Sequence, residues 1–288
     1  MRIGLYANPV KDPAYRVTRE AAALIRQHGA TGIVGPECRE TSLCADSHVE
    51  VADYSTCDII ICLGGDGTFL SMVHQAGCED IPLVGVNLGS VGFLPEILPD
   101  RIRLDDALGR LVTGAYHVEQ RMMIEVSCYD ALGQLLEKGC ALNDAVISRG
   151  GSSRIITLDL SINDDYIDMI PGDGLIISSP TGSTAYSLSA GGPIIQPELS
   201  LILITPICPH TLHNRSFIAA DTSRVIVRIC DYPGKALLAI DGREDVYVES
   251  GGSVEIGKSP RTLKLIRLGK DNFYAALSQK IQARGRTR

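Results

Sequence analysis

The sequence predicts an α/β domain built on a parallel sheet over residues 1–115, then a β-rich domain over residues 116–270, with a segment at 271–288 returning to the first. Two observations predict this. Up to about residue 115, short apolar runs alternate with stretches whose apolar residues recur three and four positions apart, the pattern of strands covered by helices. From about Tyr116, short β-rich runs follow one another between turn residues.

Taken in order, Ile3–Ala7 reads as a strand and Ala14–His28 as an amphipathic helix, with Gly29 where a C-cap belongs. Asp58–Leu63 is a second strand, Thr68–Ala76 a helix closed by Gly77, Pro82–Asn87 a third strand, and Leu104–Leu111 a helix closed by Gly114. The second region offers Met123–Tyr129, Ala141–Ser148, Ile155–Ile162, Gly174–Ser179, Leu201–Thr205, Val225–Cys230, Ala236–Ile240, Asp245–Glu249 and Leu263–Leu268 as strands. Phe273–Gln282 is a closing helix.

Composition narrows the function. The chain has 288 residues and a formal charge of -7, which argues against nonspecific binding to nucleic acid or an anionic membrane. No run is long enough to span a bilayer, and the first residues read as a strand and a turn rather than a signal peptide. Nine scattered cysteines, an odd number with no Cys-x-x-Cys, suit a reduced, cytoplasmic protein in which each is a small buried hydrophobe. Glycine is in excess, 29 residues, so it must serve turns or the close approach of a ligand.

Much of that glycine lies at three Asp-Gly corners. In the first, the apolar strand Asp58–Leu63 runs into Gly64, Gly65, Asp66, Gly67 and Thr68, and a helix follows. Glycines at a strand-to-helix corner let a phosphate approach the backbone, at the carboxyl end of a strand where open α/β sheets bind ligands. A carboxylate facing a phosphate is repelled unless a cation or proton intervenes. Asp66 therefore suits a base for a hydroxyl, or a partner of Mg2+; an Asp capping a plain tight turn would look the same.

The second corner, Gly172-Asp173-Gly174, precedes a buried strand and then a hydroxyl-rich run with Ser178, Ser179, Thr181, Ser183 and Thr184, leading into a small-residue helix from about Thr184. These groups suit sugar hydroxyls, a carboxamide or phosphate oxygens, although an ordinary capped helix start uses the same residues. The third, Asp241-Gly242-Arg243, is a hairpin signal. Asn143 and Asp144, between two β runs, could accept from a ribose diol or an adenine amino group, or form a bulge. Cys208, His210 and His213 lack a carboxylate or cysteine pair beside them, so a surface turn is preferred to zinc and no metal ligand is assigned. No serine-nucleophile elbow is present.

With these residues in view, the chain resembles the NAD kinase family, which phosphorylates the 2′-hydroxyl of the adenosine ribose of NAD. The resemblance rests on Gly64–Leu70, Gly85–Leu94, Ala141–Asp144, Asp173–Ile194 and Ile204–Leu212, in the family's order. It implies a Rossmann-like α/β domain and a β-sandwich domain with the site between them, in a homodimer or homotetramer. It implies NAD and ATP as substrates, inorganic polyphosphate as a second candidate donor, and Mg2+ or another divalent cation as cofactor. It also implies that Asp66 takes the proton of the ribose hydroxyl with Gly67 against the nucleotide. Asn143 and Asp144 would hold NAD, and Arg154 would contact a nucleotide. Asp173 would meet the nicotinamide end, with Thr181, Thr184, Ala185, Tyr186, Ser187, Leu188 and Ser189 lining the same pocket.

Three departures stand out. Pro171 occupies a place where some members carry arginine or histidine, and Arg243 one where glutamine is common. No basic residue follows Thr68 within the first helical turn, so His74 is the nearest candidate for a phosphate, or else a helix-face residue. Two competing functions remain: a kinase using the same corner on a lipid or sugar hydroxyl, and a noncatalytic NAD(H)-binding sensor. The first leaves Asn143, Asp144 and the 173–194 segment unexplained, and the retained Asp66 speaks against the second.

Overall fold

A computed structural model describes residues 1–44, 48–75, 77–89, 92–151, 153–211, 215–243, 246–269 and 273–278. The chain divides into two compact units, one made of Met1–Gln120 with Leu263–Arg288, the other of Arg121–Thr262.

The first unit contains β1 (Arg2–Ala7), α1 (Arg16–Gln27), β2 (Thr31–Val34), β3 (Val49–Val51), β4 (Ile59–Gly64), α2 (Asp66–Val73), β5 (Leu83–Asn87) and α3 (Arg101–Thr113). Its strands pair in parallel in the order β5, β4, β1, β2, β3, and Leu265 from the far end of the chain adds a parallel partner at Leu83. Every residue of β4 and β5 is buried, as expected of a parallel sheet covered on both faces. The apolar stripe of α1 (Val17, Ala21, Ala22, Leu24, Ile25) and that of α3 (Leu104, Ala107, Leu108, Leu111) share one core with β1, β4 and β5. Gly29 and Gly114 follow α1 and α3 with positive φ, whereas Gly77 lies in a turn beyond the α2 C-cap, His74.

Two strands of this sheet, Thr31–Val34 and Val49–Val51, are absent from the sequence reading. They are too short, at four and three residues, to show a period. Residues 273–278 are helical, and the Phe273 ring lies 6.0 Å from that of Phe93. The rest of the expected helix, the basic tail, Ala76, Asp245 and His213 lie outside the described residues.

The second unit carries the body of β6 (His117–Tyr129), then β7 (Leu135–Ala141), β8 (Asp144–Ser148), β9 (Ile156–Ile162), β10 (Asp165–Gly172), β11 (Gly174–Ser178), α4 (Tyr186–Ser189), β12 (Leu201–Ile207), β13 (Phe217–Ala220), β14 (Val225–Ile229), β15 (Ala236–Ile240), β16 (Val246–Val248) and the start of β17 (Ser253–Arg267). One antiparallel sheet runs β13, β12, β11, β8, β15, β16. The strands β10, β9, β14 and β17 form a second layer, also antiparallel. Ile147, Leu175, Ile177 and Ile204 of the first layer share a core with Leu158, Leu160, Val225 and Val227 of the second, a β-sandwich.

Strands β7, β10 and β13 leave no long apolar run in the sequence, because their side chains face solvent more than core. Strand β10 also contains Pro171, which a sheet tolerates at the edge position that β10 occupies. The helix expected from Thr184 is instead a 3-10 turn, Thr181–Thr184, followed by the single α turn of α4. All nine cysteines are free thiols, and burial pushes those of Cys38, Cys57 and Cys128 up to about 11, which suits packing rather than reactivity.

Candidate active site

In the first unit, three loops meet at the carboxyl ends of parallel strands. The first is the glycine corner after β4. Gly64 has no room for a side chain, since its Cβ would lie 2.2 Å from the Thr68 hydroxyl. Gly65 is the N-cap of α2 and Asp66 the first helical residue, so the aspartate is not itself the cap. The second loop follows β5. Its backbone N–H groups at Phe93 and Leu94 donate to the Asp66 carboxylate at 3.2 and 3.3 Å. Gly92 lies so close that a Cβ there would sit 2.4 Å from the same carboxylate oxygen.

Arg267 braces this loop, reaching the Leu94 carbonyl at 3.4 Å while paired with Glu119 at 3.1 Å and Glu96 at 3.8 Å. The third loop follows β1. Asn8 donates through its carboxamide to Thr68 Oγ1 at 3.3 Å, and Lys11 lies over Gly65. Gly67 is exposed, with open space where a side chain would be. His74 is at the opposite end of α2 from Asp66, about 12 Å along the axis.

In the second unit, Asn143 and Asp144 occupy the step between β7 and β8. The carboxylate of Asp241 accepts the backbone N–H groups of Leu142, Asn143 and Asp144 at 2.7, 2.8 and 3.0 Å. Asp241 and Gly242 both have positive φ, and Arg243 N–H closes the turn onto the Ile240 carbonyl. The expected hairpin turn therefore also fixes the Asn143–Asp144 main chain. From the other side, Ser179 N–H donates to the Asn143 carbonyl at 2.9 Å, and Gly182 packs so tightly that a Cβ would lie 2.1 Å from that oxygen. Asp144 is 6% exposed. Burial, and next the nearby Asp241 charge, raise its carboxyl to about 7.

The hydroxyl-rich segment divides into structural and open groups. Ser183 binds the carbonyls of Pro180 and Ile195 and accepts from Ile195 N–H. Ser187 shares a hydrogen bond with Thr205 at 2.9 Å, on a face where Gly192 leaves no space. Both are spent on the fold. Thr181 Oγ1 is buried with no partner, so hydrogen-bonding capacity is left over in the residue before Gly182. Thr184 caps back onto the Thr181 carbonyl; Ala185 and Leu188 are half-buried, and Tyr186 and Ser189 are exposed.

Asp173 pairs with Arg149 Nε at 2.9 Å, while Arg149 N–H donates to the Asp173 carbonyl. A cation thus stands beside Asp173 although Pro171 brings none. Arg154 is exposed at the entry to β9, and Tyr232 donates to the Arg149 carbonyl at 2.7 Å within the same loop. Arg243 is exposed beyond its turn.

Asn8, Lys11, Arg149 and Asp241 escaped the sequence reading as site residues. Asn8-Pro9-Val10-Lys11 directly after an apolar strand is a signal for the first two, since loops at that end of a parallel sheet face ligands. Among the described residues, no three His, Cys, Asp or Glu side chains converge as a metal cage.

Residues 3–116 match the family model described as ATP-NAD kinase N-terminal domain, and residues 142–268 that described as ATP-NAD kinase C-terminal domain. The chain is 39% identical to the NAD kinase of Ruminiclostridium cellulolyticum over 98% of each chain. It is also 39% identical to that of Acetivibrio thermocellus, over 99% of this chain and 98% of the other. Its structure matches yeast NADH kinase complexed with NADH at a TM-score of 0.85, with 22% identity, covering 100% of this chain and 89% of that one. An Archaeoglobus fulgidus NAD kinase in complex with ATP gives 0.74, at 22% identity over 98% and 99%. At that identity the two structures speak for the fold.

Proposed function

The chain belongs to the NAD kinase family and phosphorylates NAD, and from that premise we propose the chemistry and the residues that perform it. The donor is the γ-phosphoryl group of ATP, with inorganic polyphosphate as an alternative, and the acceptor is the 2′-hydroxyl of the adenosine ribose. The supporting observation is the Asp66 carboxylate, held by two successive backbone N–H groups at the carboxyl end of β4.

A ribose hydroxyl is a poor nucleophile at neutral pH. A carboxylate held in place accepts its hydrogen bond, aims the oxygen at phosphorus and takes the proton as the new bond forms. Gly67, open to solvent beside Asp66, lets the nucleotide approach the main chain. The oxygens of the Asp66 carboxylate suit a hard divalent cation such as Mg2+, which Asp66 would hold together with the donor phosphates. When bound, the cation offsets charge on the phosphates.

The β-rich domain carries the NAD contacts: Asn143 and Asp144 for the ribose and adenine groups, Asp173 for the nicotinamide end, Arg154 for a nucleotide phosphate. Thr181 offers a spare hydroxyl, and Thr184, Ala185, Tyr186, Ser187, Leu188 and Ser189 shape the wall, Ser187 from behind it. The position of His74 lends its phosphate role little support. The protein acts in the cytoplasm, as a homodimer or homotetramer. Incubation of the pure protein with Mg-ATP and NAD, followed by detection of NADP with an NADP-specific dehydrogenase, tests the reading. Absence of NADP with properly folded protein overturns it.

A further inference from the structure

The corner around Asp66 has a carboxylate in place, and a donor carrying several phosphates brings more negative charge to it. The loop after β1 supplies an opposing group. Lys11 Nζ lies over the main chain of the glycine corner, 2.5 Å from where a Cβ on Gly65 would be and 3.8 Å from one on Gly89. Because Gly65 has no side chain, the ammonium can lie directly over the corner, and Lys11 and Gly89 are both exposed there.

The loop is fixed at both ends. The Asn8 carboxamide oxygen accepts the N–H groups of Val10 and Lys11 at 3.0 and 3.3 Å, and its amide nitrogen reaches Thr68. Asp12, 2% exposed, accepts the N–H groups of Val17 and Thr18 at 2.9 Å each and the Thr18 hydroxyl at 2.7 Å. Lys11 lies between these two anchors.

Charge accounting singles it out further. Lys138, Lys235, Lys258 and Lys264 each pair with a carboxylate, at 3.2, 3.1, 2.6 and 3.0 Å. Lys11 is the one lysine among the described residues with no carboxylate partner. A lysine ammonium is a compact charge with three donors, suited to phosphate oxygens.

Resting on the kinase reading above, we propose that Lys11 binds the phosphate chain of the phosphoryl donor, on the Asp66 side of the molecule. The ligand class is a polyphosphate ester or polyphosphate chain, recognised through its terminal phosphates.

Two measurements test this on the full-length enzyme. In steady-state assays, Lys11→Met should raise KM for ATP at least tenfold and leave KM for NAD within twofold, with Lys11→Arg recovering much of the loss. In equilibrium titrations without NAD, the loss of affinity in Lys11→Met should be largest for ATP, smaller for ADP and smallest for AMP. An unchanged KM for ATP, a rise confined to KM for NAD, or an equal loss for all three nucleotides overturns the proposal. Because Lys11 is exposed, its removal leaves the core intact, and a melting temperature matching wild type verifies this. The titrations need no turnover, so they judge Lys11 separately from the kinase reading, which stands or falls on NADP formation by wild type.

Discussion

Asp241 and Asp144 are joined through the main chain in both directions: Asp144 N–H donates to the Asp241 carboxylate at 3.0 Å, and Asp241 N–H donates to the Asp144 carbonyl at 2.9 Å. A surface turn thereby sets the backbone of a buried acid. The proximity has an electrostatic cost, borne by Asp144, whose carboxyl is raised to about 7 by burial first and the Asp241 charge second.

The linkage has a definite sign. Unfolded, Asp144 ionises in the ordinary carboxylate range, while folded it keeps its proton to about pH 7. Between those values the native state binds more protons, so this residue lowers stability as pH rises from about 4 to 7 and contributes no further change above that. Asp144→Asn should gain stability relative to wild type across that window, on the order of 1–4 kcal/mol at pH 7. Urea unfolding at pH 5, 6, 7 and 8 measures it; a pH-independent difference contradicts the assignment.

Asp66→Asn should abolish most NADP formation while NAD still binds, as read by calorimetry. Loss of binding with turnover per bound NAD preserved would sink its role as proton acceptor.

Gly92→Ala displaces the same carboxylate without touching its chemistry. A Cβ 2.4 Å from the Asp66 oxygen must push it aside, and a misplacement of about 1 Å can cost roughly a hundredfold in rate. Turnover should fall on that scale; unchanged turnover means the carboxylate position is unimportant.

Gly67→Ala separates fold from function. Nothing stands within 4 Å of the new methyl, and alanine favours the first turn of α2 by up to about 1 kcal/mol. The melting temperature should hold or rise while the KM for a nucleotide substrate increases. Unaltered kinetics would remove Gly67 from the site.

Thr181→Val tests the spare hydroxyl. With no partner for Thr181 Oγ1, the isosteric valine should leave stability unchanged or raise it by about 1 kcal/mol, yet weaken NAD binding severalfold. Equal affinity in a calorimetric titration would make the hydroxyl a bystander.

The sequence made the architecture legible where side chains are buried. Asp58–Leu63 announces β4 because both its faces meet apolar neighbours, and Leu104–Leu111 shows its stripe because one face packs on the sheet. Strand β10 was invisible, since only Ile170 and Gly172 on it are buried and the pairing with β9 that defines it spans two segments. The candidate site was readable where its chemistry is local, as at Gly64–Thr68. Asp241 shows in the sequence only as a turn, because the N–H groups it holds lie about a hundred positions earlier, and Lys11 does not show at all, because an isolated lysine has no pattern of its own.

Arg267 holds the loop that aims Asp66 from a place in the chain 173 positions beyond Leu94. The whole β-rich unit is synthesised between the two, so that unit can fold while the α/β unit still lacks its last strand segment. A chain that ends before Arg267 carries the glycine corner complete in sequence but lacks the side chain that braces the loop against Asp66.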